Sequence, residues 1–455
     1  MKHTLLTLTT LLLAPVATLH ADEAALRQPK HILWLMADQY IHDAFNFAGD
    51  RHAPTPNLDK LASQGTYLKQ TYCQFPLCTP SRVSFTLGRY AHSTGVCGNR
   101  VGDVPRDQVS FPQLLRRNGF LTQVLGKLHI PGRVDLDWDN PEGQFEQKPK
   151  ERRRVLNTKS GVFSGPLSQL EDWVWKDEMI AFLKKHAQER WFLECSFIVP
   201  HPPWVAPREC WDRVNRPLIE QTLRDINQRY PVTKRPGSVK AAEQYVLDSM
   251  QAYYGNINLV DTMVGEILTT LDKLGLREDT LIVFTSDHGE MLYEHNDWGK
   301  SKFYDRAVRV PLIVSWPGVL PQGKTSEALV QMIDLYPTIL DACGLPIPKS
   351  AQGKSLLPLL EGKTDKQWDM VYSELHDGRV MQFDGTFKWI DNRADAPEVY
   401  DMKNDPWEIR NLAALPEFQD RMKAKVNELR KWRETDLAPE VKDEKSRQSA
   451  KRETE

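Results

Sequence analysis

The chain of 455 residues lacks a large excess of charge of either sign, because 59 lysines and arginines nearly balance 61 aspartates and glutamates and leave a formal net charge of -2. A near-neutral chain creates no long-range field that would attract nucleic acid or an anionic membrane surface. We therefore expect neither partner, and any preference for an anion must come from a local site.

Long apolar runs are also scarce, and no segment after the N-terminus is apolar for long enough to cross a bilayer. The first residues, MKHTLLTLTTLLLAPVATLHADEAA, combine a lysine, an apolar run and a small residue, Ala21, at a position suited to cleavage. This pattern predicts a signal peptide over residues 1–21 and a secreted or periplasmic protein without a membrane span. A buried N-terminal helix is the alternative, which Pro15 and the charges after the run disfavour.

Cysteine is sparse, and its six occurrences have neither the dense spacing of a small disulfide-bonded domain nor the spacing of a zinc site. In an exported protein six cysteines could form up to three disulfides, and their pairing is open. If one of them serves in chemistry, an odd number remains and at least one other thiol is unpaired.

One of these cysteines, Cys78, directly precedes a predicted helix in the segment QFPLCTPSRVSFTLGRY. Thr79 is a suitable N-cap, and Pro80 suits the first helical position because its missing N–H would be unpaired anyway. Gly88 marks the end, which predicts a helix over residues 80–87. Its N-terminus would present free N–H groups and the positive end of the helix dipole to an anion beside the cysteine.

Strand-like apolar runs alternate with helical patterns along most of the chain. The runs are HILWLMAD (31–38), FLTQVLGKLH (120–129), WFLECSFIVPH (191–201), TLIVFTSDHGE (280–290) and VPLIVSW (310–316). This alternation predicts an α/β fold with a doubly wound, mostly parallel sheet flanked by helices.

After GKSLLPLLEGK the pattern changes to short alternating strands, followed by an amphipathic helix near residues 415–432. The change predicts a main α/β domain over residues 22–365 and a smaller C-terminal unit, an antiparallel sheet plus helix, over 366–435. The tail over 436–455 is rich in charge and is expected to be disordered.

Polar residues of catalytic type directly follow four of the strand-like runs. They are Asp38 and Gln39, Lys127 and His129, His201, and Asp287 and His288. In open α/β sheets, ligands bind beyond the carboxyl ends of the strands. We therefore expect these side chains to converge on a single edge of the sheet, although they are far apart in sequence.

The segment CTPSR (78–82) resembles the C-x-P-x-R signature of the type I sulfatases, the formylglycine-dependent sulfatases of the alkaline phosphatase-like superfamily. Other segments that resemble this family extend from about residue 30 to 415, among them PTPNLDKLASQGTYLKQTY, DLYPTILDACGLPIP and VYDMKNDPWEIRNLA. The resemblance implies that a maturation enzyme oxidises Cys78 to formylglycine, an aldehyde whose hydrate attacks sulfur and later expels sulfate. A buried, inert thiol is the alternative for this cysteine.

The resemblance also implies one divalent cation, held by hard oxygen ligands of the kind that suit calcium or magnesium. Many relatives carry Asp-Asp where this chain has Asp38-Gln39, which removes one negative charge. The Asp-Gln and Asp-His pairs resemble the phosphonate monoester hydrolase branch, and the imidazole ligand also tolerates manganese. Ca²⁺ is the expected ion, with Mn²⁺ or Mg²⁺ as alternatives. The expected metal ligands are Asp38, Gln39, the modified Cys78, Asp287 and His288.

Three further roles follow from the resemblance of GKLH and IVPHPPW to family segments. Lys127 is expected to bind sulfate and the aldehyde-derived oxygen. His129, two residues further along an extended segment and on the same face, would take the proton that collapses the sulfo-enzyme intermediate. His201 would bind sulfate and protonate the leaving oxygen. A surface lysine and core histidines are the alternatives.

Arg82 is expected to steady the formylglycine and to offset negative charge. The Trp-x-Lys spacing in HNDWGKSKFYDRAVRVPLIV favours Lys300 over Lys302 as a second sulfate-binding lysine. Residues that could set substrate specificity are Arg100, Trp204, His295, His376 and Arg379, each of which could equally be ordinary surface.

The resemblance implies a sulfuric ester hydrolase, with a sulfated carbohydrate as the expected substrate. The alternatives are a phosphonate monoester or phosphodiester hydrolase on the same fold, and a choline-sulfatase-like enzyme for a small sulfate ester. A binding protein with an unmodified Cys78 is a third class. Two imidazoles placed for proton transfer argue against that class, because a binder does not need them.

Overall fold

A computed structural model of the chain describes residues 27–99, 104–139, 160–230 and 243–436. The predicted signal peptide, Arg100 and all but the first residue of the predicted tail lie outside these ranges. None of the described helices is both long and apolar enough to span a membrane.

Strands occur throughout the described chain, in a main sheet, a C-terminal sheet and a small pair. They are β1 (His31–Asp38), β2 (Thr66–Tyr72), β3 (Leu121–Gly126), β4 (Gly161–Phe163), β5 (Trp191–Pro200), β6 (Val205–Pro207), β7 (Thr280–Thr285), β8 (Arg309–Val310), β9 (Leu312–Ser315), β10 (Lys324–Gln331), β11 (Val371–Glu374), β12 (Val380–Phe383), β13 (Phe387–Asp391) and β14 (Glu398–Asp401).

Helices connect and cover these strands. The α-helices are Pro56–Ser63, Cys78–Leu87, Ala91–Thr94, Phe111–Arg117, Val134–Asp137, Glu171–Lys185, Arg208–Asp212, Arg216–Arg229, Glu243–Lys273, Asp305–Val308, Leu335–Ala342, Leu357–Leu360 and Pro416–Glu434. Short 3-10 turns are found at Asn46–Ala48, Leu167–Gln169, Arg277–Asp279, Glu294–Asn296 and Met332–Asp334.

The main sheet has eight strands in the order β10-β2-β9-β7-β1-β5-β3, with β8 paired to β2. Four pairs are parallel, namely β10 with β2, β7 with β1, β1 with β5, and β5 with β3. β9 runs antiparallel to both of its neighbours, so the run at 310–316 is a strand but not a parallel one. The prediction of a doubly wound, mostly parallel sheet is confirmed.

The core lies on both faces of this sheet because β1 is buried on both sides. Ile32, Trp34 and Met36 point into one apolar cluster, and the alternate residues Leu33 and Leu35 point into another. This alternation is the period of two of a β-strand. The 31-residue helix Glu243–Lys273 packs in the second cluster, to which it contributes apolar side chains along its length from Val246 to Leu271.

The C-terminal unit is the predicted antiparallel sheet plus helix. Its strands are ordered β11-β12-β13-β14, and every adjacent pair is antiparallel. The helix Pro416–Glu434 covers the sheet and contributes Phe418, Met422 and Leu429 to a small separate core. The backbone N–H of Glu374 donates to the carbonyl of Gln74 at 2.9 Å, which joins this unit to the loop that leads to Cys78.

Candidate active site

The predicted site residues from four strand ends meet at one edge of the main sheet. β1 ends at Asp38, β7 ends just before Asp287, and β3 and β5 are followed by Lys127 and His201. Because β7, β1, β5 and β3 are consecutive parallel neighbours, their carboxyl ends lie side by side. The helix Cys78–Leu87 begins at the same edge, since its first residue contacts Asp38 and His288.

This helix begins earlier than predicted, and its proposed cap is wrong. Its first residue is Cys78, its N-cap is Leu77, and no side chain caps it. Thr79 is already inside the helix, where its backbone N–H donates to Asn99 Oδ1 at 3.0 Å. A residue 20 positions away thus satisfies the helix N-terminus, so a local capping rule fails here. The predicted end is correct, because Gly88 has the left-handed φ of 66°.

Cys78 lies at the centre of the site, 1 % exposed. Its Sγ is 3.1 Å from Lys300 Nζ, 3.5 Å from Lys127 Nζ and 3.3 Å from His288 Nε2. The same sulfur lies 3.9 Å from Asp38 Oδ1. Two ammonium groups therefore lie next to the sulfur of Cys78. Positive charge at this position is suited to binding an anion.

The surroundings of Cys78 favour the ionised form of its side chain. Burial and the Asp38 carboxylate raise the pKa of the thiol, but the neighbouring histidines outweigh them and bring it far below the usual value. His129 and His201 contribute to this lowering of the pKa together with His288. A side chain at this position is thus surrounded by groups that stabilise negative charge and can exchange protons.

Arg82 is completely buried and bonds to residues in or directly after four neighbouring strands, β7, β1, β3 and β5. Its Nε donates to Asp287 Oδ2 at 2.9 Å and its Nη2 to Asp38 Oδ2 at 3.1 Å. Its Nη1 donates to the Lys127 carbonyl at 2.7 Å and to Ser196 Oγ at 2.9 Å. None of these hydrogen bonds goes to the sulfur of Cys78. Arg82 instead fixes the two carboxylates and the backbone at Lys127.

Lys127 and Asp38 form a tight ion pair beside Cys78. Burial would raise the pKa of Asp38, but nearby cations, Lys127 foremost, hold it well below its usual value. Burial would likewise lower the pKa of Lys127, but the Asp38 carboxylate raises it. Both groups are therefore charged at neutral pH, which keeps one carboxylate available for a cation and one ammonium for an anion.

The donors of Asp38, Cys78, Asp287 and His288 could hold a metal ion, because one ligand atom from each lies within 4.8 Å of the others. All four residues are buried. Gln39 adds an amide oxygen, which lies 2.8 Å from Lys300 Nζ. Two carboxylates, an amide oxygen and an imidazole fit a divalent cation with a preference for oxygen ligands.

A close backbone approach shapes the Asp287-His288 turn. A Cβ at Gly289 would lie 1.9 Å from the carbonyl oxygen of Arg306, so only glycine fits. The Ser81 hydroxyl donates to the carbonyl of Asp287 at 2.6 Å and ties this turn to the helix that carries Cys78. The metal-ligand candidates are therefore held by backbone contacts as well as by their own side chains.

His129 and His201 approach Cys78 from the ends of β3 and β5. His129 has a left-handed φ of 57°, and its buried Nδ1 has no hydrogen-bond partner among the described residues. The Nδ1 atom of His201 lies 2.7 Å from the carbonyl oxygen of Pro202. A carbonyl can only accept, so Nδ1 of His201 carries a proton.

Two of the residues suggested for specificity lie in aromatic clusters. Trp204 is 6 % exposed, donates from Nε1 to the Pro200 carbonyl at 2.8 Å, and packs on Trp298 with ring centres 5.1 Å apart. Trp204 therefore contacts residues that lie close in sequence to His201 and Lys300. His295 stacks on Tyr304 with ring centres 3.7 Å apart.

The other two described candidates lie in the turn between β11 and β12. His376 is exposed, and Arg379 pairs with its neighbour Asp377 at 2.7 Å. Neither residue forms a hydrogen bond or an ion pair with the Cys78 cluster within the described part of the chain. Lys302, the alternative to Lys300, pairs with Asp297 at 3.2 Å, whereas Lys300 contacts Cys78.

The sequence analysis missed two buried residues that contact the site. Ser196, in β5, accepts from Arg82. Glu290 is 0 % exposed and accepts a hydrogen bond from the Gln39 amide nitrogen. Its place in SDHGE, two residues after the last metal-ligand candidate, was the signal that could have pointed to it.

Comparisons with known proteins agree with this geometry. The sulfatase family matches residues 30–345, and the C-terminal region of N-sulphoglucosamine sulphohydrolase matches residues 293–435. The choline-sulfatase of Rhizobium meliloti is 28 % identical over 432 residues, which cover 85 % of this chain and 83 % of that protein. The N-acetylglucosamine-6-O-sulfatase of Bacteroides thetaiotaomicron is 28 % identical over 502 residues, which cover 90 % and 88 %.

The fold also matches solved structures. The phosphonate monoester hydrolase of Agrobacterium radiobacter superposes with a TM-score of 0.74 at 24 % identity and covers 89 % of this chain and 96 % of that one. At this identity the likeness shows the fold alone. The family match extends over more than half of the chain and includes every residue that meets at Cys78. The chain belongs to the sulfatase family and is a sulfuric ester hydrolase.

Proposed function

We propose that the protein is an exported sulfatase that removes sulfate from glycans. It would use a formylglycine made from Cys78 and one divalent cation. Ca²⁺ is the expected cation, with Mn²⁺ or Mg²⁺ as alternatives. The observation that carries the proposal is the convergence of two ammonium groups and three imidazoles on one buried side chain. A sulfated carbohydrate is supported by the similarity to an N-acetylglucosamine-6-O-sulfatase. Export follows from the N-terminal signal pattern.

Formylglycine explains why a cysteine occupies this place. A thiol that attacked sulfur would remain bonded to the sulfo group, because its carbon carries no second hydroxyl whose deprotonation could form C=O and break the bond to the sulfate. The hydrated aldehyde supplies one hydroxyl for attack and a second for that release. The position of Sγ, between Lys300 and His288, marks where these oxygens would lie.

The chain's own residues then divide the work. Lys127 and Lys300 neutralise the sulfate group, because both ammonium groups face the reacting position within 3.5 Å. His201 is placed to protonate the leaving oxygen and His129 to accept a proton from the modified side chain. A bound cation would add a positive charge beside the same oxygens, held by Asp38, Gln39, Asp287 and His288.

Replacing the cysteine tests the proposal. We expect C78A and C78S, made in a host that does not modify serine, to lose turnover of an aryl sulfate while keeping the folded circular dichroism spectrum. The matched control is C343A, which removes another buried thiol outside the site and should keep activity. Wild-type turnover by C78S would overturn the formylglycine mechanism.

A phosphonate monoester or phosphodiester hydrolase is the second candidate, because Asp38-Gln39 and Asp287-His288 resemble the pairs of that branch. The ratio of kcat/KM for an aryl sulfate to that for an aryl phosphonate monoester separates the two. We expect the sulfate to be preferred. Among sulfate esters, N-acetylglucosamine 6-sulfate should exceed choline sulfate, and the reverse order would replace the glycan by a small-molecule substrate.

A further inference from the structure

Glu290 is a buried carboxylate that touches two parts of the site at once. Its Oε1 accepts from the backbone N–H of Gly299 at 2.6 Å and from that of Leu292 at 3.0 Å. Its Oε2 accepts from Nε2 of Gln39. Its side chain is closed off from solvent, so a carboxylate at this depth depends on these hydrogen bonds.

These contacts decide which way the Gln39 amide faces. Nε2 of Gln39 can only donate, and its partner is the carboxylate, while Oε1 can only accept, and its partner is Lys300 Nζ at 2.8 Å. A flip of the amide would place two acceptors together on one side and two donors together on the other. The amide oxygen is therefore directed toward Lys300, whose ammonium group also contacts Cys78.

The same carboxylate also fixes the loop that carries Lys300. Gly299, whose N–H it accepts, directly precedes this lysine, and Met291 N–H donates to the Gly299 carbonyl at 2.8 Å. A single buried charge thus positions an amide oxygen of the metal-ligand set and the adjacent ammonium group. Position 39 carries an amide in place of a carboxylate, but the carboxylate of Glu290 is directly hydrogen-bonded to that amide.

We propose that Glu290 is a positioning residue that tunes the affinity of this chain for a divalent cation by orienting Gln39 and by supplying the negative charge that Gln39 lacks. The inference rests on the cation of the proposed function. Groups that hydrogen-bond to a metal ligand and orient it typically change metal affinity by about 10- to 100-fold when they are replaced.

Isosteric exchanges separate this role from packing. In E290Q the Oε1 of the new amide must still accept the two backbone N–H groups, so its nitrogen faces Nε2 of Gln39. Two donors then oppose each other, and Gln39 turns its nitrogen toward the cation. In the double variant Q39E/E290Q the amide of residue 290 donates to the carboxylate of residue 39, whose second oxygen faces the site. The number of charges and the side-chain sizes are those of the wild type.

Calorimetric titration of Ca²⁺ into the chelator-treated full chain tests the inference without any need for turnover. We expect E290Q to raise the dissociation constant by about 10- to 100-fold and the double variant to return it to within about threefold of the wild type. A dissociation constant that is unchanged in E290Q overturns the inference. An equally weak double variant also overturns it, because loss of packing would then explain both.

E374Q is the matched control, since Glu374 is also 0 % exposed but bonds to His92 and Arg433 in another part of the chain. It should lower the thermal midpoint and leave the Ca²⁺ affinity unchanged. If the wild-type chain binds neither Ca²⁺ nor Mn²⁺, the inference and the cation of the proposed function fall together. If the wild type binds and E290Q binds equally well, only the inference fails.

Discussion

Replacing Arg82 by methionine removes a guanidinium that joins both metal-ligand carboxylates, and it should destabilise the fold as well as the site. Arg82, Asp38 and Asp287 all have fully buried side chains. The substitution leaves a shorter, flexible side chain that occupies the space of the arginine stem and carries no charge. Asp38 keeps Lys127 as a partner, and Asp287 keeps the backbone N–H groups of Gln39 and His288.

The size of the effect follows from what is left unpaired. Removing one partner of a buried ion pair costs about 3–5 kcal/mol, because the other charge stays buried without compensation. Two pairs are lost here, but the remaining partners of both carboxylates limit the sum. We therefore expect the free energy of unfolding of R82M to fall by about 3–5 kcal/mol in the absence of metal. Added Ca²⁺ should restore part of the loss.

Urea unfolding of the chelator-treated chain, followed by tryptophan fluorescence, measures this change. The matched control is R106M, since Arg106 forms a bidentate pair with Asp135 on the surface and both side chains are more than half exposed. That variant should unfold close to the wild type, because exposed ion pairs contribute little. An R82M chain that unfolds within about 1 kcal/mol of the wild type would refute the buried network.

Three further outcomes are expected. In G289A the new Cβ would lie 1.9 Å from the Arg306 carbonyl oxygen, so the free energy of unfolding should fall by about 3 kcal/mol or more, measured by urea titration; a midpoint equal to that of the wild type contradicts the tight turn. Chelation should lower the midpoint of thermal unfolding, and Ca²⁺ at about 100 times its dissociation constant should raise the free energy of unfolding by about 2.7 kcal/mol. A thermal midpoint that does not change when Ca²⁺ is added contradicts the metal site. H201A should slow turnover of alkyl sulfates by about 10²- to 10⁴-fold and that of nitrophenyl sulfate less, because only the poor leaving group needs a proton; equal losses contradict the assigned role.

The sequence predicted the strands that are buried on both faces, because such strands are continuous apolar runs. HILWLMAD corresponds to β1 residue for residue, and TLIVFT is β7. β2 and β10 were missed, since Thr66–Tyr72 is largely polar and the first half of Lys324–Gln331 is mostly exposed at the edge of the sheet. The antiparallel direction of β9 was not readable either, because the direction of a short strand is decided by its neighbours in space.

For the site as well, residues within short motifs were predicted from the sequence, whereas residues whose partners are distant in the chain were not. Cys78, Lys127 and Lys300 were found because short motifs carry them. Glu290 was not, because its decisive partner, Gln39, lies 251 residues away. Asn99 satisfies the helix N-terminus in place of the predicted Thr79 cap for the same reason, since it comes from a separate loop. Local patterns identify groups that do chemistry, whereas the groups that orient them are found only once the chain is folded.

The mass of the tryptic peptide QTYCQFPLCTPSR, from protein produced together with the maturation enzyme, tests the central claim most directly. Formylglycine predicts a peptide in which the sulfur and two hydrogens of Cys78 are replaced by one oxygen, with Cys73 unchanged and the aldehyde reactive toward a hydrazide probe. A peptide in which both cysteines remain thiols or disulfides, in a preparation that turns over sulfate esters, would contradict it.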